Sequence, residues 1–212
     1  MHESDPSTGK SDGPADPAGD PARHLLPDAA TLADLSQRLD RPVVLVGLMG
    51  VGKSTIGKRL AHCLGTPFVD ADEAVIAAAQ MSIPEIFEKF GEPYFRDGER
   101  RVIARLIEEN EGRAAVIATG GGAFVDPETR KLILDRAIAV WLDSDLDTLV
   151  ERVSRKNTRP LLIDKDPRTV LGELMAVRNP AYAQAQIRAI SDTGPQMAVV
   201  ARILTALEGH VA

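Results

Sequence analysis

A single cysteine, Cys63, occurs among 212 residues, so no internal disulfide can form and an oxidising compartment would offer the chain nothing. Basic residues are outnumbered, 25 Lys and Arg against 31 Asp and Glu, for a formal net charge of −6 and a pI near 5.3. There is no overall positive field to hold a nucleic acid or an anionic membrane, and neither is expected as a partner. Any anionic ligand must be met by local arginines. No apolar run approaches the roughly 20 residues that a bilayer-spanning helix needs, and the N-terminus has neither the basic nor the apolar region of an export signal. A reduced cytoplasm is the expected setting.

Large apolar side chains are also nearly missing from residues 1 to about 27, which are rich in Pro, Gly, Asp and Ser. Ordering such a segment costs entropy that no burial offsets, so a disordered tail is expected. Leu25, Leu26, Leu32, Leu35 and Leu39 then fall at helical spacing, as a helix that docks on the domain or, alternatively, binds a partner. Residues 1–40 are therefore read as tail and linker helix, and 41–212 as one domain, near the usual size.

From Val43 the pattern becomes short β-branched runs separated by helical stretches, the mark of βαβ units and a parallel sheet covered on both faces. Strands are expected at Val43 to Gly47, Phe68 to Asp70, Ala114 to Ala118, Ala137 to Leu142 and Ile187 to Ile190. Ser82 with Glu85 reads as a capping box, Gly65 and Gly91 as residues just past helix ends, and Ser144 as the cap of a helix reaching Ser154. The polar, proline-punctuated stretch from Arg155 to Pro167 is the expected long surface loop.

Gly47-Leu-Met-Gly-Val-Gly-Lys53-Ser54 matches G-x-x-x-x-G-K-[ST] directly after an apolar strand and before a helix with Ile56, Leu60 and Leu64 on one face. Glycines there let backbone N–H groups turn inward round phosphate oxygens, Lys53 reaches the transferring phosphate, and the Ser54 hydroxyl can ligate Mg²⁺. Asp70 and Asp72 end the second strand, where alternation along an extended chain would point both carboxylates to one side, at the carboxyl edge where α/β proteins bind ligands. Taken alone, the pair could equally be no more than a helix cap. Arg96 and Glu99 lie three apart on one helical face, and Thr119 is followed by three glycines that let backbone approach a ligand closely. Arg152 and Arg159 flank the long loop, and Arg178 opens Arg-Asn-Pro-Ala-Tyr182.

In this order and spacing, G-x-M-G-x-G-K-S, D-x-D, F-R-x-x-E, the triple glycine, N-x-x-R-P-L-L and R-x-P-x-Y resemble the shikimate kinase family, from about Pro42 to the C-terminus. The resemblance implies a P-loop NTPase fold of the nucleoside monophosphate kinase type: a five-stranded parallel sheet flanked by helices, with a lid at about 152–167. It implies transfer of the γ-phosphoryl of ATP to the 3-hydroxyl of shikimate with Mg²⁺ as cofactor, and a monomer is expected. Gly50, Val51, Gly52, Lys53, Ser54 and Thr55 would hold the nucleotide, with Ser54 on Mg²⁺ and Asp70 reaching it through water. Asp72, Arg96, Gly121 and Arg178 would hold shikimate, the two arginines on its carboxylate, with Glu99 orienting Arg96. Lys53, Asp72 and Arg159 would be catalytic, Arg159 closing on the phosphates, while Arg152 would lie against the adenine. The family often carries a basic residue after the last strand, where Asp192-Thr-Gly-Pro has none.

Two alternatives differ in class. A gluconate-type sugar-acid kinase would share the P-loop and a carboxylate acceptor, but the methionine of the loop, the triple glycine and the F-R-x-x-E helix argue against it. A nucleotide-dependent switch or binding module would need no arginine pair for a carboxylate, and the guanine-reading N-K-x-D is absent.

Overall fold

Val43–Val46 is a run of four apolar residues, all buried, as a central strand of a parallel sheet requires when helices cover both faces. This strand, β1, pairs with β3 (Val116–Ala118) on one side and β4 (Ile138–Asp143) on the other. With β2 (Phe68–Asp70) and β5 (Ile187–Ile190) at the edges, the order is β2-β3-β1-β4-β5, every pairing parallel. The computed structural model describes residues 23–155 and 166–212.

Eight α-helices lie among the described residues: α1 (Ala29–Arg38), α2 (Lys53–Leu64), α3 (Ala71–Ala79), α4 (Ile83–Glu108), α5 (Pro127–Arg136), α6 (Leu146–Ser154), α7 (Pro167–Tyr182) and α8 (Gln196–His210), preceded by a 3₁₀ turn at Arg23–Leu25. The crossovers β1-α2-β2 and β3-α5-β4 run in opposite directions along the sheet. Right-handed connections put them on opposite faces, so the sheet is covered on both. α8 packs on α2 on one face and α4 on α5 on the other. Leu35 and Leu39, each 1% exposed, bring α1 into the same core.

Several boundaries move from their expected places for local reasons. β1 stops at Val46 because Gly47, at φ 133°, turns the chain out of the strand. α6 is capped by Asp145, whose side chain accepts from Thr148 N, and not by Ser144, whose hydroxyl is buried without a hydrogen-bond partner. Gly65 does end α2, at φ 63°. Gly91 also ends a helical stretch as expected, at φ 79°, ψ 174°, although the next helix follows so closely that α4 is continuous across the kink. The chain breaks there and re-enters a helix at once, because Pro93 fits the first turn of a new one. The break aims the segment from Glu92 onward at the sheet's carboxyl edge. Among the described residues no helix is long and apolar enough to cross a membrane.

Candidate active site

All five strands end at one edge, and the residues singled out in the sequence lie just after those ends or on the helices α4, α6 and α7 beside them. After β1, three glycines take positive φ: Gly47 (133°), Gly50 (87°) and Gly52 (94°). A side chain at Gly47 would also meet the Leu142 carbonyl at 2.5 Å, so only glycine allows this loop to pass beside β4. Lys53 opens α2 and folds back, its Nζ donating to the carbonyls of Gly47 (2.7 Å) and Leu48 (2.9 Å). The loop from Gly50 to Thr55 lines a cleft of about 600 Å³ together with Asp72, Gly121 and Arg152.

Asp70 and Asp72 reach this edge by a route other than strand alternation. β2 ends at Asp70, and Asp72 lies in the first turn of α3. Asp70 caps that helix through Asp72 N (3.1 Å) and also accepts the Ser54 hydroxyl at 2.7 Å, so capping and site formation are one arrangement. Burial, with Asp70 adding to it, raises the Asp72 carboxyl above its ordinary range, against the pull of Lys53 and Arg96.

The run after β3 is where side chains converge. A Cβ on Gly120 would lie 2.8 Å from both Asp72 Oδ1 and Glu99 Oε1, one on Gly121 would lie 3.3 Å from Arg178 Nη1, and one on Gly122 would collide with the Arg96 guanidinium. The three glycines leave room for side chains from three elements, α3, α4 and α7, to close on the same few atoms, and a side chain at Gly120 or Gly122 would displace the charged groups that meet there. Arg96 Nη1 donates to Glu99 Oε2 at 2.7 Å, and its Nε and Nη2 donate to Glu92 Oε1 at 3.3 and 3.1 Å. The guanidinium lies 5.1 Å from the ring centroid of Phe95, a buried residue. Glu99 is 1% exposed, and burial raises its carboxyl although Arg96 opposes the shift. Arg96, Gly122 and Arg178 line a second cavity of about 1260 Å³. The two cavities meet at the glycine run.

Arg152 ties the loop to the end of β5. Its Nη1 donates to Ser191 Oγ (3.0 Å) and to Val51 O (3.4 Å), and its Nη2 donates to the Asp192 carbonyl. Ser191 Oγ in turn donates to Val51 O at 2.8 Å. Asp192 is held by Arg202 at 2.9 Å. Arg159 lies outside the described residues, as does most of the expected loop. Sequence reasoning passed over Ser191, a lone serine with no local signal, and gave Tyr182 no role. The Tyr182 hydroxyl donates to the Gly121 carbonyl, and its spacing of four from Arg178 is the clue that the two share a face.

The sequence model of the shikimate kinase family matches residues 49–208. A shikimate kinase of Novosphingobium aromaticivorans is 56% identical over 187 residues, covering 85% of this chain and 97% of that one. One from Caulobacter vibrioides is 57% identical over 174 residues, covering 82% and 86%. Among solved structures, the shikimate kinase of Acinetobacter baumannii in complex with shikimate superposes with a TM-score of 0.75 at 32% identity, covering 86% of this chain and 98% of that one.

Proposed function

The chain belongs to the shikimate kinase family, and from that premise we propose that it transfers the γ-phosphoryl group of ATP to the 3-hydroxyl of shikimate, giving shikimate 3-phosphate and ADP on the route to chorismate and the aromatic amino acids. One observation carries the reading. Asp72 and Gly121 line the cleft that holds Lys53, while Arg96 and Arg178 line the cavity joined to it at the glycine run. A small acid whose carboxylate sits on two guanidinium forks would therefore present a hydroxyl between Asp72 and the phosphate above Lys53.

In the proposed reaction the acceptor oxygen bonds to Pγ as the bond from Pγ to the β-phosphate oxygen breaks. Asp72 accepts the hydroxyl proton, which its raised proton affinity favours. Lys53 leaves the carbonyls of Gly47 and Leu48 and moves onto the phosphates, where charge migrates through a loose transition state that needs positioning more than covalent help. Arg159 is assigned the closing contact on the phosphates, and Arg152 the adenine side. Mg²⁺ is part of the proposal: the Ser54 hydroxyl and Asp70 carboxylate, 2.7 Å apart, are hard oxygen donors that suit it beside phosphate. When bound, it would neutralise charge on the β- and γ-phosphate oxygens. A cytoplasmic monomer completes the reading.

The test is ADP release with shikimate, with gluconate, with shikimate carboxamide and with no acceptor. Turnover with shikimate alone is expected. Equal turnover with gluconate would move the chain to the sugar-acid kinases, and ADP release that ignores the acceptor would favour a nucleotide switch.

A further inference from the structure

Two carboxylates share the Arg96 guanidinium, and they differ in kind. Glu99 is three residues on, its side chain 2% exposed, and it takes the single donor Nη1. Glu92 is four residues back, its side chain 63% exposed, and one of its oxygens takes both Nε and Nη2. The Nε–Nη2 edge is a fork that matches a planar carboxylate. Glu92 also lines the cavity in which Arg96 and Arg178 meet. It directly follows Gly91, where the helix is broken at φ 79°, and an exposed side chain at such a break can swing into water without uncovering any core. Glu99 has no such exit.

We propose that Glu92 is a stand-in for the acceptor's carboxylate, a positioning residue that holds the Nε–Nη2 edge of Arg96 until the acid arrives and then gives way. Arg96 is thereby kept extended toward the glycine run with its charge partnered, and the acceptor binds by exchanging one carboxylate for another. The exchange has a cost: the acceptor's affinity is lowered by whatever the Glu92 pair contributes. A half-exposed pair of this kind is worth little, so the expected effect is roughly two- to fivefold.

The inference rests on the shikimate kinase reading, and the experiment separates the two. Glu92→Ala and Glu92→Gln are compared with the full-length chain by steady-state kinetics in both substrates and by calorimetric titration of shikimate without nucleotide. KM and Kd for shikimate should fall about two- to fivefold, more for Ala than for Gln, which keeps an accepting oxygen. KM for ATP, kcat and the thermal midpoint should move much less. Wild-type turnover of shikimate combined with an unchanged or raised shikimate KM in both variants would overturn the stand-in and leave the function intact. A wild type that does not phosphorylate shikimate would remove the reading, and the inference with it.

Discussion

The cleft proposed for the nucleotide and the cavity proposed for the acceptor meet at the glycine run, yet they are built by different means. Half of the cleft's lining is one contiguous stretch, Met49 to Ile56, in a loop whose backbone is set by glycines of positive φ. That stretch brings Lys53 and Ser54, and Asp72 and Arg152 join them from α3 and α6. The cavity has almost no local motif of its own. Its groups come from α4 and α7, and they meet beside the glycine run that leaves room for them. A backbone cradle recognises phosphate, which every kinase of this fold must do. A cavity made of side chains on separate helices recognises one acceptor, and it can be altered without disturbing the cradle.

The sharpest way to break this contrast is to remove one group from each side. Lys53→Ala should leave a folded protein with kcat lowered on the order of 10³-fold or more, because the γ-phosphate loses the loop's own side-chain cation as charge migrates. Calorimetric binding of shikimate should be nearly intact. Asp72→Asn keeps the shape and removes the proton acceptor, so kcat should fall roughly 10²- to 10³-fold with ATP-analogue affinity little changed. Because the Asp72 carboxyl is raised above its ordinary range by burial, its base form is lost as pH falls through that raised value. The acid limb of kcat/KM should therefore lie above the usual aspartate range. Equal losses of turnover and nucleotide affinity in the Asn variant would mean that Asp72 serves the nucleotide and its metal, not the acceptor hydroxyl.

A smaller effect sharpens the same contrast. Replacing Arg178 by Lys keeps the charge and loses the planar fork, so KM for shikimate should rise on the order of tenfold while KM for ATP changes much less. The carboxamide analogue should be poor for the wild type and lose little further on Arg178→Ala, a coupling that a double-mutant cycle would read. Parallel changes in both KM values would mean that Arg178 acts on the whole fold.

What could be read from the sequence follows the same line. The loop was legible because its residues are consecutive and its chemistry is local. Asp70 and Asp72 do reach the carboxyl edge, but not by the expected strand alternation: a helix cap does the placing. Glu99 was visible as a neighbour of Arg96 three residues on. Glu92 was not singled out, although Gly91 reads as a helix end with a new helix after it, because a carboxylate four residues before an arginine is an ordinary surface pairing and nothing local marks it as part of a cavity. Ser191 meets Val51 across 140 residues, and no spacing rule reaches that far.

Tyr182 offers the finest test, because it belongs to the cavity by contact and touches neither substrate in the proposed arrangement. It is fully buried, its ring lies 6.1 Å from that of Trp141, and its hydroxyl donates to the Gly121 carbonyl. It thus pins α7, and with it Arg178, to the glycine run. Tyr182→Phe removes one hydrogen bond and keeps the packing, so stability should fall by about 1 kcal/mol. KM for shikimate should rise roughly two- to fivefold, the most that such an energy can produce at about 1.4 kcal/mol per factor of ten, with KM for ATP unchanged. The pH dependence reports the burial of the hydroxyl, and the split between the two KM values reports the strut. Burial, opposed by Arg178, raises the phenol from 10.0 to about 12. A group whose folded value is raised contributes stability that is complete below its unfolded value and lost as pH rises through the folded one. The wild type's advantage over Tyr182→Phe should therefore hold at neutral pH and shrink between pH 10 and about 12, as followed by denaturant unfolding. An advantage that stays constant across that range would show that the hydroxyl is not held buried and protonated, and a Phe variant that weakens ATP and shikimate alike would show that Tyr182 fills space in the core and does not position the acceptor cavity.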